Sequence, residues 1–118
     1  MPQPIKPVPP KLTLGQRQEL FAECLGKHLV FLYSKGYKVR MGDVFAKERN
    51  PLEHKKGSNH YLKCAGDLNI FKDGVWLQKT EGHKESGDHW ESLHPLCRWG
   101  GRYNDGNHVE IMQEGEKR

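Results

Sequence analysis

The sequence predicts an α+β domain, with a small antiparallel sheet flanked by helices, and three observations lead there. An apolar stripe at helical spacing, Phe21, Leu25, Leu29 and Leu32, follows the segment Thr13-Leu-Gly-Gln16, which reads as a capping box. Short alternating segments carry hairpin signals, above all residues 64–71 followed by Asp73-Gly74. The length of 118 residues suits one hydrophobic core and not two.

Residues 1–11 carry Pro at positions 2, 4, 7, 9 and 10 and read as an extended, polyproline-like arm; residues 12–118 form the single domain. The first helix has Thr13 as N-cap, runs for about 20 residues and stops before Gly36, a natural C′ residue. His28 on it reads as a surface or boundary histidine. Residues 37–41 alternate and read as a strand running toward Phe45. Residues 47–57 are charged, contain Pro51 and lack periodicity, so they read as a loop near the mouth of a site, with His54 solvated.

In the strand of residues 64–71, Ala65, Asp67, Asn69 and Phe71 share one face, and Cys64, Gly66, Leu68 and Ile70 share the other. Val75-Trp-Leu77 is its return strand. Residues 80–87 read as a polar loop, and residues 88–94 have helical character, with Trp90 and Leu93 three apart, ended by Pro95. In Cys97-Arg-Trp-Gly-Gly101 the glycines imply a tight bend and close backbone packing. Asn104-Asp-Gly-Asn107 is a turn, and residues 109–112 form the last strand, with His108, Glu110 and Met112 on one face. The charged tail from Gln113 reads as frayed. Trp90 and Trp99 read as core, while Tyr61 and Tyr103 are candidates for lining a cleft.

The hydrophobic fraction of 35% and mean hydropathy of −0.87 predict a small core under a very polar surface. No apolar run approaches the ~18 residues of a membrane span, and the N-terminus lacks a signal-peptide core. Neither stable membrane insertion nor signal-directed secretion is expected. The net charge of +4 comes from basic residues interleaved with acidic ones. No basic helix or aromatic–basic interleaving appears, so nucleic-acid binding is not expected. Cys24, Cys64 and Cys97 are odd in number and lack C-x-x-C pairing, which predicts reduced, buried thiols.

The chemistry gathers around four residues. Asp67 lies in a strand, where a buried carboxylate needs a partner, and His60 lies seven residues earlier. Fully extended, that separation would be roughly 23 Å. The chain between them must therefore turn back, or His60 must sit on a loop folded over the strand. Small Ala65 and Gly66 leave room for close approach. Asp105 precedes His108 by three residues, and two His, one Asp and one spare Asp are the parts of a catalytic zinc site. Glu110 is either a hydrogen-bond acceptor behind a ligand or an exposed residue. His83, His89 and His94 match no metal-ligand spacing.

In order, Ser58-x-His60, Ala65-x-Asp67, Trp99-Gly-Gly101 and Asp105-x-x-His108 resemble the motifs of the zinc D-Ala-D-Ala carboxypeptidase and L-alanyl-D-glutamate endopeptidase family, which has the hedgehog/DD-peptidase fold. Residues 67–74 and 90–101 look like small phage endolysins of the endopeptidase branch, and the likeness spans about residues 14–112. The resemblance implies one Zn2+ per chain, bound by His60, Asp67 and His108, with Asp105 as catalytic carboxylate and Ser58 supporting the first ligand. It implies a monomer hydrolysing the L-Ala–D-Glu bond of the peptidoglycan stem peptide. The protein would be held in the host bacterial cytoplasm until lysis and then act in the periplasm and cell wall. The competing readings are a D,D- or L,D-carboxypeptidase and a non-catalytic zinc-stabilised binding module. Two positions depart from the family pattern. Lys63 stands where Gly is usual, and Ala46 follows Phe45 where many members carry an Arg. Arg40, Lys47 and Arg49 are the candidate replacements for that Arg.

Overall fold

The computed structural model describes residues 11–42, 59, 60, 62–113 and 115–118. Phe45, Ala46, Lys47, Arg49, His54, Ser58, Tyr61 and most of the Pro-rich arm, all invoked from the sequence, lie outside the described residues.

Helix α1 spans Leu14–Ser34, and both halves of its capping box form: the Gln16 N–H donates to the Thr13 hydroxyl and the Thr13 N–H to the Gln16 side chain. Such a cap contributes about 1 kcal/mol. The helix ends at Lys35, and Gly36 takes φ +87°, which only glycine adopts without strain. The strands are β1 (Tyr37–Met41), β2 (Ala65–Lys72), β3 (Val75–Trp76), β4 (Cys97–Trp99) and β5 (His108–Ile111). Helix α2 (Lys84–Leu93) lies between β3 and β4. The strand order is β1-β2-β5-β4, with β3 paired to β2, and every pairing is antiparallel. Asp73 (φ 50°) and Gly74 (φ 78°) make the tight β2–β3 turn.

The helices cover one face of the sheet. Phe21, Cys24 and Leu32 of α1 and Trp90 of α2 pack with Leu68, Ile70, Val109 and Ile111. Each fully buried aliphatic side chain contributes about 1.5–3 kcal/mol. Phe21 meets Trp90 edge-on at 5.8 Å between ring centroids. All three cysteines are free and buried. Alternation along β2 holds as read: Leu68 and Ile70 enter this core, and Asp67, Asn69 and Phe71 are half-buried on the other face.

Four sequence expectations are corrected. Residues 80–87 are not a polar loop: a 3-10 turn (Thr80–His83) leads directly into α2. His83 gives α2 no side-chain cap, and Gly87 weakens its helical propensity, so local signals are poor. Tertiary contacts hold the helix instead. The His83 ring lies 2.7 Å from the Leu77 carbonyl, and a Cβ on Gly87 would collide with the Trp99 ring. His28 is not at the surface but fully buried, 2.8 Å from His89 Nδ1 and 2.9 Å from the Ser86 hydroxyl. With Cys24 it forms the centre of the buried stripe, while Leu25 and Leu29 are only half-buried. The C-terminal tail is tied down: Arg118 donates to the carbonyls of Cys97, Glu91 and His94.

Burial and the nearby His89 hold the His28 pKa down, at about 3. The unfolded chain, with an ordinary histidine value near 6.5, takes up a proton that the folded chain refuses. Stability is therefore expected to fall as pH drops below about 6.5, by up to about 1.4 kcal/mol per pH unit for this group, until pH about 3. Urea unfolding across that range should show a shallower pH dependence for His28→Gln than for the wild type.

Candidate metal centre

The β2–β5 register sets Asp67 directly opposite His108. Paired residues project to the same face, so both side chains stand on the side away from the helices. His60 arrives by a turn. The N–H groups of Leu62 and Cys64 donate to the Asn59 carbonyl and that of Lys63 to the His60 carbonyl, while Lys63 takes φ 60°. The chain thus folds back over the strand, as the spacing requires, and Lys63 occupies a left-handed conformation that glycine would adopt with less strain.

Three donor atoms converge. His60 Nε2 lies 3.1 Å from His108 Nδ1 and 3.3 Å from Asp67 Oδ1, and His108 Nδ1 lies 3.4 Å from Asp67 Oδ1. His60 and His108 are buried and Asp67 half-buried. These three residues can hold a metal ion. Two imidazole nitrogens and a carboxylate oxygen suit a divalent cation, and the three sites lie on one side of any ion they share.

Behind the ligands stands Glu110, the acceptor that alternation put on the His108 face. Its Oε1 lies 2.9 Å from His108 Nε2 and accepts from Asn59 Nδ2 at 3.0 Å. Its Oε2 accepts from Arg98 and, at 3.2 Å, from the Tyr103 hydroxyl. The His108 Nε2–H donates to Glu110, which turns Nδ1 toward Asp67 and His60. Asn59, Arg98 and Tyr103 were not read from the sequence as parts of this network. The only signal for it was the alternation of His108 and Glu110.

The electrostatics follow from these contacts. Burial raises the Asp67 pKa, but hydrogen bonds with His108 and His60 outweigh it and hold the carboxyl well below its ordinary range. Burial also raises the Glu110 pKa, yet His108, Asn59 and Arg98 bring it down to about 2. For His108, burial lowers the pKa, but Asp67 and Glu110 raise it to about 9. Two ionised carboxylates thus demand positive charge between them. Arg98 supplies it behind Glu110, and a cation held by His60, Asp67 and His108 would supply it on the Asp67 side.

Asp105 is exposed, on the turn into β5. Its backbone is fixed at both ends: its N–H donates to the Gly100 carbonyl at 2.8 Å, and its carbonyl accepts from the His108 N–H at 3.1 Å. A Cβ on Gly100 would strike the Asp105 carbonyl and come within 2.7 Å of His108 Cβ. Trp99 sits against Gly87 and Gly101 and donates from its indole to the Gly106 carbonyl at 2.7 Å. The close packing inferred for the Trp-Gly-Gly segment therefore fixes the Asp105 main chain at the entry to β5, while its exposed side chain is not among the donor groups that converge at His60, Asp67 and His108. Of the basic candidates, Arg40 is the one described. It pairs with Asn69 across β1–β2, and its guanidinium carbon lies 4.5 Å from the Phe71 ring centroid.

Among the described residues, no helix is long and apolar enough to cross a membrane. Compared with protein-family models, with curated proteins and with solved structures, the chain finds no match.

Glu110→Gln keeps the shape of this network but removes the charge that orients His108. It is expected to weaken metal binding about 10–100-fold while the fold persists. Competition with a chromophoric chelator, with circular dichroism as control, checks both.

Proposed function

We propose that this chain is a zinc peptidase of the D-Ala-D-Ala carboxypeptidase and L-alanyl-D-glutamate endopeptidase family, with the hedgehog/DD-peptidase fold, and that it cleaves the L-Ala–D-Glu bond of the peptidoglycan stem. The observation that carries this reading is the donor triangle. Ligands at zinc's usual 2.0–2.1 Å, arranged tetrahedrally, stand about 3.3–3.4 Å apart. The triangle's edges are 3.1, 3.3 and 3.4 Å. Among the described residues three side chains offer ligands, the complement of a catalytic site, whereas structural sites use four. The motif order from residue 58 to residue 108 supports the substrate class.

His60, Asp67 and His108 hold the ion in this reading. Bound there, zinc supplies a Lewis acid and lowers the pKa of water from ~15.7 toward ~7. Asp105, fixed through its backbone next to His108, accepts the proton of the attacking water and returns it to the leaving amine. Glu110 keeps His108 in the ligating tautomer. Arg40 adds positive charge to the Asp67 side of the sheet, where an anionic stem peptide would lie. The protein acts as a phage-type lytic enzyme, held in the host cytoplasm until lysis and acting then on the wall.

Digesting purified peptidoglycan with the zinc-loaded protein, followed by mass spectrometry, tests the reading. Stem peptides beginning at D-Glu, formed only without chelator, are expected. Release of single D-Ala would move the assignment to a carboxypeptidase, and no product despite bound zinc would favour a binding module. Asp105→Ala should lower turnover by about 10²–10⁴ while zinc stays at one per chain. His60→Ala should lose both zinc and turnover.

A further inference from the structure

A cavity of about 290 Å³ opens between β3 with its following 3-10 turn and the turn that enters β5. Asp105 forms part of its wall, and so does Asn69, one alternation along β2 from Asp67 on the same face. We propose that this cavity binds one neutral, N-acetylated amino-sugar residue of the glycan strand, so that the enzyme recognises the sugar to which its stem peptide is attached. The inference rests on the peptidoglycan reading above and adds a second ligand contact to it.

Charge narrows the ligand first. Among the described residues no Lys or Arg lines the cavity; its titratable lining residues are Asp105 and His83. An anionic ligand, including the D-Glu end of the stem, is repelled there; a neutral polar one is not.

Hydrogen-bonding capacity narrows it further. Asn107 Nδ2 donates one hydrogen to Asn69 Oδ1 at 3.5 Å, and the Thr80 hydroxyl donates to Asn104 Oδ1 at 3.0 Å. These bonds orient the amides and leave the Asn107 carbonyl, the Asn69 and Asn104 amino groups and the Thr80 lone pairs to offer. Gln78 adds a further exposed amide. Sugar hydroxyls donate and accept, and an acetamido group does one of each, which this mixture matches.

Trp76 adds an aromatic surface beside Leu77 and His83. Trp76 is 48% exposed and stacked on Phe71, with centroids 6.3 Å apart and planes 19° apart. A large, fixed, half-exposed indole beside amide groups offers a platform for the C–H face of a sugar ring. Two sides of the cavity are closely packed, since a Cβ on Gly106 would come within 2.7 Å of Thr80 Cα. Since the glycan joins the stem at the amino end of L-Ala, a sugar held beside Asp105 would set the direction in which the peptide crosses the metal centre.

Two measurements on the zinc-loaded full chain test the proposal. Titration with tri-N-acetylchitotriose, followed by 15N NMR, should shift the side-chain amides of Asn69, Asn104 and Asn107, and these shifts should vanish in Trp76→Ala. Separately, kcat/KM for a muramyl-linked stem peptide should exceed that for the free stem peptide by about tenfold, because binding energy away from the reacting bond is used in the transition state. That ratio should collapse toward one in Trp76→Ala and recover in Trp76→Phe. No amide shifts together with equal cleavage of both peptides would overturn the sugar site while leaving the peptidase intact. Amide shifts with neither peptide cleaved would keep the sugar site and defeat the peptidase reading.

Discussion

The antiparallel pairing of β2 with β5 carries the rest of the molecule's logic. It sets Asp67 opposite His108 and Ala65 opposite Glu110, so that two carboxylates and an imidazole share one face within a few residues. The same pairing sends Leu68, Val109 and Ile111 into the core on the other face. A slip of one residue would exchange the two sets, burying the carboxylates in the apolar layer and exposing the aliphatic side chains. The hydrophobic core thus enforces the register, and the register builds the polar cluster. His60 then needs only the short turn at Asn59 to close the triangle.

Such a cluster is expensive unless its charges are matched, and the surrounding contacts do the matching. Arg98 of β4 reaches Glu110 and also Glu116 of the tail, at 2.7 Å. Arg118 fastens the same tail to carbonyls of α2, the following turn and β4. Glu91 accepts from the Trp99 N–H and from Arg102. These links join the C-terminal residues, α2 and the edge strand to the back of the His60–Asp67–His108 cluster. They explain why a very polar chain with a small core still fixes its ligands. Asp67 and Glu110 flank His108 on either side, and Arg98 offsets the charge of Glu110.

Much of this was legible in the sequence where the controlling physics is local. The capping box at Thr13, the period-two alternation of β2, the Asp73-Gly74 turn and the shared face of His108 and Glu110 each follow from rules that span a few residues. The extended-chain distance between His60 and Asp67 was enough to require a reversal before β2. What was not legible depended on partners distant in the chain. Helix α2 begins four residues earlier than its apolar pattern suggests, because Gly87 is chosen for contact with Trp99 and not for helical propensity. His28 looks like a surface residue until Ser86 and His89 are brought to it. The tail reads as a frayed polyelectrolyte because nothing local reveals that Arg98 will be waiting. Arg98 itself, the counter-charge to Glu110, stands in a segment whose only evident signal was its glycines.

The central claim is that His60, Asp67 and His108 form one metal site with zinc's ligand geometry. X-ray absorption at the zinc edge of the loaded protein tests it most directly. The account predicts a four-coordinate shell of nitrogen and oxygen at about 2.0–2.2 Å, with the scattering pattern of two imidazoles and no sulfur. A sulfur shell at about 2.3 Å, which would bring in a cysteine, or a shell without imidazole would contradict it.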